Sequence, residues 1–404
     1  MSVQEADTLR APQGRRPSAA WFGRLWQGEL GMLPVLLALA LIWIFFYTQF
    51  PVFLDPRNIS FLLLQITVLG VIAVGVVLVL LLGEIDLSAA AAAGVCAAIV
   101  AVLLERYDWP VVAAVAMGLV AGLLIGAVQS FFVAVAGVPS FVVTLAGLLA
   151  LQGIMLMILG QQGTVNVNNS SLLWLASTYL PPILGWALLG ITAIAHIFAL
   201  ALRRRRRTAA ELPVRRLTSE IAQSAAVSAV AALVVWRLNQ YMGVPLAGLV
   251  LLAIIAVWSL VLRQTTFGRN VYSVGGNAEA ARRAGINVVL VRMSVMALAS
   301  LMFAVGGVIG ASRFSSVSYN AFAGGSLLLE AIGAAVIGGT SLFGGRGRIV
   351  SALLGALVIG SLSNGLNLYS ASSATKYVVT GGILLAAVTL DALSRRRRTA
   401  SGRA

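Results

Sequence analysis

From Trp109 to Leu202 the chain contains no Asp, Glu, Lys or Arg. No other feature constrains the fold as much. Soluble domains place a charge at about a quarter of their positions, and none could bury an uncharged run of this length. A bilayer can, because about 20 apolar residues span its hydrocarbon core. Composition agrees: 60% of residues are hydrophobic, 10% are charged, and the mean hydropathy is +0.97. The apolar blocks do not alternate with polar residues as strands of a membrane barrel would. The 41 glycines and 11 prolines suit helices packed closely in lipid. The expected class is all-α, a polytopic integral membrane protein.

Twelve apolar blocks are expected to span, at 31–50, 60–82, 87–104, 110–134, 139–160, 183–202, 221–236, 244–262, 290–311, 326–340, 349–368 and 377–393. Block 221–236 is short, and block 326–340 carries Glu330. The formal charge of +15 does not call for nucleic acid, because the basic residues sit between blocks and at the chain ends. With the amino terminus inside, all of the 28 basic residues except Arg57, Arg106, Arg237, Arg313 and Lys376 fall on the inner side. Excess Lys and Arg mark cytoplasmic loops, so both termini and the 263–292 loop are expected in the cytoplasm. Residues 1–30 read as a cytoplasmic tail, 31–393 as the membrane domain and 394–404 as a basic cytoplasmic tail. The first apolar block begins too late for a cleavable signal peptide.

The 263–292 loop is long, charged and glycine-containing, and it lies between two strongly apolar blocks. Gly275-Gly276 is expected to permit a turn, with Asn277 as N-cap of a short helix. Glu279 suits the first turn, and Gly285 sits at the C′ position that ends the helix. Ala280, Ala281 and Ala284 leave its surface lean enough for a partner to approach closely, while Arg282 and Arg283 offer donors to carboxylates.

At this point the chain resembles a known family. Glu279-Ala280-Ala281 followed by Gly285 resembles the motif with which permeases of ABC importers meet their ATPase subunit. With Phe267-Gly268-Arg269 and Gly275-Gly276-Asn277 alongside, it is similar to the ribose/xylose/arabinose-type sugar permeases. Gly83-Glu84-Ile85-Asp86-Leu87-Ser88 resembles the family's Gly-x-Ile-Asp-Leu-Ser signature, and Glu84 in place of a second glycine is similar to the xylose branch. Val138-Pro139-Ser140-Phe141-Val142-Val143-Thr144-Leu145 resembles a further family segment. Residues 183–240, with the Arg203–Arg216 loop between two helices, look like an addition to a core of about ten helices, as in the xylose branch.

Six residues are candidates to line a translocation path. Asp86 and Ser88 either cap a helix start or face that path. Thr144 either bonds to neighbouring backbone or faces the sugar. Asn364 and Asn367, one turn apart, form a polar stripe that is costly to expose to lipid. Glu330 is an acid inside an apolar block, and such acids are functional candidates; it also lies close enough to Gly325-Ser326 to be an outer-interface residue. Gly83–Leu87 and Gly338–Leu342 share spacing and sidedness, as two related halves would.

Several functions are excluded. One Cys and one His make no usual zinc site, and no metal or other cofactor is expected. The Gly-Lys-Ser/Thr ending of a phosphate loop is absent, so ATP hydrolysis is assigned to a partner and the chain is not read as an enzyme. The resemblance implies a permease subunit of an ABC importer for a monosaccharide, D-xylose foremost, in the bacterial inner membrane. It also implies a homodimer, a cytoplasmic ATPase and an extracytoplasmic sugar-binding protein; the uncharged polar loop 160–182 either touches that protein or is simply solvated. The alternative is an ion-coupled secondary sugar transporter, which needs a coupling-ion site that Glu330 alone does not supply.

Overall fold

A computed structural model describes residues 33–214, 217–323 and 325–400. The 1–30 tail and Arg215-Arg216 lie outside the described residues. The membrane helices are α1 (Leu33–Gln49), α2 (Pro56–Leu81), α3 (Ala89–Tyr107), α4 (Val111–Ala134) and α5 (Ser140–Leu159). A short α6 (Ser170–Ser177) precedes α7 (Pro182–Ala209), α8 (Leu217–Asn239) and α9 (Leu246–Gln264). Two small helices, α10 (Thr266–Gly276) and α11 (Ala278–Arg283), lead to α12 (Val288–Phe314). The chain ends with α13 (Tyr319–Phe322), α14 (Leu327–Ile337), α15 (Val350–Leu368) and α16 (Ser373–Ala400).

Every expected block is helical. Among the described residues, ten helical stretches are long and apolar enough to cross a membrane; the count of twelve exceeds this because α1 has only 17 residues and α16 is not among the ten. The short block 221–236 is part of a 23-residue helix. Block 326–340 contains only the 11 residues of α14, reached through the α13 turn.

Close backbone packing holds the centre together. α2 is apolar all round and buried along most of its length, as befits a helix surrounded by others. α12 packs against α2, α3 and α4. Gly118, Gly122 and Gly126 place one face of α4 directly on neighbours: a Cβ at these positions would press on Val100, Ala304 and Ala297 respectively. Lipid tails are as apolar as leucine, so membrane helices associate through such small-residue contacts more than through hydrophobic burial. Outward faces carry large apolar groups, among them Val112, Leu149, Met157, Ile183 and Phe198. An apolar surface that broad belongs in lipid or against another subunit.

Two short strand pairs lie at one end of the bundle. β1 (Thr164–Asn166) pairs antiparallel with β4 (Ser316–Ser318), and β2 (Tyr179–Leu180) with β3 (Val244–Pro245). The second pair closes the base of the α7–α8 hairpin: Leu180 lies opposite Val244, and the Leu246 N–H donates to the Thr178 carbonyl at 2.9 Å. The hairpin is therefore a side branch whose two ends are zipped together. Its helices are joined by an Arg204–Glu220 ion pair and by His196 Nε2 against Ser224 Oγ at 3.1 Å.

Candidate functional site

The 263–292 loop is built from two helices meeting at Asn277. Asn277 has extended backbone (φ −161°, ψ 101°), and its side chain accepts the Ala280 N–H at 2.9 Å. It is the expected N-cap. At the other end Gly285 has φ +83°; its N–H donates to Arg282 O at 3.0 Å, and the Ile286 N–H to Ala281 O at 3.0 Å. That pair of bonds is a Schellman motif, which needs a residue comfortable in left-handed backbone at C′. Glu279 reaches Arg283 at 3.1 Å and Arg282 at 3.4 Å, all three exposed. Only Ala281 of α11 is buried, so Glu279, Ala280 and the arginines face away from the bundle.

One expectation fails here. Gly275-Gly276 makes no turn, because α10 runs through both residues and the chain breaks at Asn277. Gly275 serves proximity: a Cβ there would overlap the Leu81 carbonyl oxygen and crowd the Gly345 amide, while one at Gly276 would meet open space.

The two other glycine turns lie at the same end. After α2, Gly83 takes φ +78°, with Gly83 N–H to Leu80 O at 2.9 Å and Glu84 N–H to Val79 O at 3.3 Å. After α14, Gly339 takes φ +99°, with Gly339 N–H to Val336 O at 2.9 Å and Thr340 N–H to Ala335 O at 3.1 Å. The two turns share the Schellman geometry but are offset by one residue from the expected alignment. Gly339 holds the left-handed position, while Gly338 makes room for the Ser351 backbone.

The Gly83–Ser88 segment gathers a polar cluster. The carboxylate Oδ1 of Asp86 accepts the Ser88 N–H at 2.7 Å and the Ser88 hydroxyl at 2.6 Å. Gln129 Nε2 donates to Ser88 Oγ at 2.8 Å. The Thr144 hydroxyl donates to Ser140 O at 2.8 Å and Ile85 O at 3.1 Å, and Ser140 Oγ accepts the Ile85 N–H at 3.2 Å. Asp86, Ser88, Gln129, Ser140 and Thr144 are all buried. Burial pushes the Asp86 carboxyl above its ordinary value, and the two Ser88 bonds offset only part of that. Sequence reasoning picked out Asp86, Ser88 and Thr144 but missed Gln129 and Ser140. A polar side chain inside the apolar run of α4 was the available signal for Gln129.

The remaining candidates stand apart from this cluster. Asn364 is buried and exchanges reciprocal amide bonds with Asn58, at 2.9 and 3.1 Å, whereas Asn367 is exposed at the end of α15. The stripe is thus split between a protein contact and a helix terminus. Glu330 sits in the first turn of α14 and accepts the Ser326 hydroxyl. At the opposite end, Glu105 accepts the N–H groups of Asn168 and Asn169 at 2.9 and 3.0 Å, and Arg106 donates to the carbonyls of Ile158 and Leu159. The Ser312 hydroxyl donates to Leu172 O at 2.8 Å. The uncharged loop 160–182 is therefore anchored to the bundle by Glu105, while the next residue, Arg106, holds the end of α5 from which the loop departs. Among the described residues, no group of three or more His, Cys, Asp or Glu could hold a metal ion.

Comparison with known proteins places this architecture. Residues 58–388 match the family model described as the permease component of the branched-chain amino acid transport system. The xylose transport system permease protein of Escherichia coli strain K12 is 36% identical over 382 residues, covering 94% of this chain and 96% of that protein. Its Haemophilus influenzae counterpart is 35% identical over 365 residues, covering 90% and 96%. The ribose import permease protein of Escherichia coli strain K12 is 32% identical over 388 residues, covering 95% and 98%. No solved structure matches. With a family model matched over most of its length, and with relatives above 30% identity almost end to end, the chain belongs to this family of multi-pass transport permeases, the one that includes the xylose and ribose permeases its motifs resemble.

Proposed function

We propose that the chain is the membrane subunit of an ABC importer that carries a monosaccharide, D-xylose, across the bacterial cytoplasmic membrane. In this reading two copies enclose the path, and a sugar-binding protein delivers the solute to the end that carries loop 160–182. A separate ATPase engages the 263–292 loop. The observation that carries the reading is α11. It is a helix of six residues, capped at both ends by its own sequence, with Glu279 and Ala280 turned away from the bundle. Six residues are too few to hold together as an isolated helix, so the Asn277 cap and the Gly285 turn preform a surface that a partner can grip without first ordering it. The choice of D-xylose rests on Glu84 and on the similarity to xylose permeases.

Glu279 gives the direct test. Its ion pairs are exposed, and exposed pairs contribute about 0–1 kcal/mol, so Glu279→Lys should insert and fold normally. Reconstituted with the ATPase and the sugar-binding protein, it should bind the ATPase at least about tenfold more weakly and lose D-xylose uptake in proportion. Undiminished binding and uptake would remove α11 from the coupling role.

A further inference from the structure

α11 meets the membrane helices through little of its own surface, so any displacement of it must travel through its neighbours. α10 is the neighbour that touches two other turns at once. The Gly345 N–H donates to Leu81 O at 2.9 Å, and the Gly275 backbone lies against both of these groups. Gly344, with φ +82°, sits against the Gly275 carbonyl and the Gly83 amide. Beside this contact the Tyr272 hydroxyl donates to Gly347 O at 3.0 Å. Burial keeps that phenol above its ordinary pKa despite Arg263 and Arg348 nearby, so it stays a donor. The Gly83 turn is held a second time by Glu84 Oε1 and Arg292 Nη2 at 3.2 Å, which ties it to the start of α12.

The end of α10 and two turns from distant parts of the chain thus meet backbone to backbone, with no side chain between them. Side chains absorb small displacements by changing rotamer; hydrogen-bonded backbone in contact does not, and packed interfaces pass strain on. We propose that the junction of Gly83, Gly275 and Gly344-Gly345 transmits movement of the docking helix to α2 and to the α14–α15 turn. Gly275 is a positioning residue at its centre, and the Glu84–Arg292 pair is the second tie. The proposal rests on the reading of 263–292 as the ATPase-docking loop. A methyl group at position 275 would wedge α10 away from both turns while leaving the exposed face of α11 unchanged.

The test separates docking from transmission in the reconstituted importer, with D-xylose as the probe and Gly190→Ala, whose Cβ meets open space, as a control for glycine replacement in a helix. Gly275→Ala should keep ATPase binding within about twofold of wild type while sugar carried per ATP hydrolysed falls about tenfold or more. Wild-type sugar per ATP in Gly275→Ala would overturn the junction, as would loss of ATPase binding in step with uptake. Glu84→Arg and Arg292→Glu should each lower sugar per ATP, and the double exchange should restore it; these variants decide the matter if Gly275→Ala does not fold. Single exchanges that stay fully coupled, or a double exchange as poor as its parents, would overturn the second tie and with it transmission through the Gly83 turn. Equal ATPase binding by Glu279→Lys and wild type would instead remove the docking reading beneath the proposal, a result distinct from either of these.

Discussion

Asp86 holds a buried carboxylate between two donors that both come from Ser88, and no basic side chain pairs with it in the cluster. Its folded pKa is raised by burial, so the folded state binds the proton more tightly than the unfolded chain does. The stabilisation is then fully present below the ordinary carboxylate range and is lost as pH rises through the folded value. Asp86→Asn keeps an oxygen for both Ser88 donors but carries no charge. Thermal midpoints in detergent should therefore show the wild type losing stability, relative to Asp86→Asn, as the pH is raised through and above the ordinary carboxylate range. Parallel curves would mean that Asp86 does not titrate in that interval. The sequence left Asp86 and Thr144 each with two readings, because spacing shows which residues can meet but not which do. The partners that settle the local geometry, Gln129 and Ser140, come from other helices, 41 and 55 positions away from Ser88 and Ile85.

At the level of elements, the α11 caps were legible because both are local. Asn277 and Gly285 act within four residues of themselves, through their own backbone and side-chain preferences. The role of Gly275 was not legible: a glycine required for close approach looks the same in sequence as one required for a turn, and only the arrival of Leu81 and Gly345 distinguishes them. The α7–α8 hairpin was legible as an apolar pair flanking an arginine run, though not its closure. Because Leu180 and Val244 are already strand partners, a two-residue Asn-Gly turn can replace residues 181–243 and join the strands directly. Leu238 is among the few large buried side chains of the hairpin, and losing one such contact costs about 2–3 kcal/mol. The shortened protein should still insert and show a cooperative melt, its midpoint lowered by no more than about 10 °C. Aggregation, or a melt that has lost its cooperativity, would make the hairpin part of the core.

For the whole molecule, the arrangement of loops at the two ends follows from the helix order, and positive-inside asymmetry supplies the expected orientation. Cys96 is the one cysteine in the chain and is buried, so new thiols can report without a silent background having to be engineered. A cysteine placed at the exposed Ser170 should react with a membrane-impermeant maleimide added to spheroplasts, and one at exposed Ser273 only after the membrane is inverted or opened. The reverse pattern would turn the molecule over and place the proposed docking loop 263–292 on the wrong side for a cytoplasmic ATPase.

The sequence by itself determined that the chain lives in a bilayer as a set of helices, roughly where each begins, and which short segment between two of them is capped at both ends. These properties depend on local composition and on residues a turn or two apart, which no distant contact can change. Tertiary structure decided what the glycines at 83, 275, 344 and 345 are for, which polar residues share a cluster, and that Asn364 and Asn367 part company. Those outcomes depend on how closely segments tens to hundreds of residues apart approach. In lipid that distance is set by the fit of small side chains and backbone rather than by any pattern of hydrophobicity.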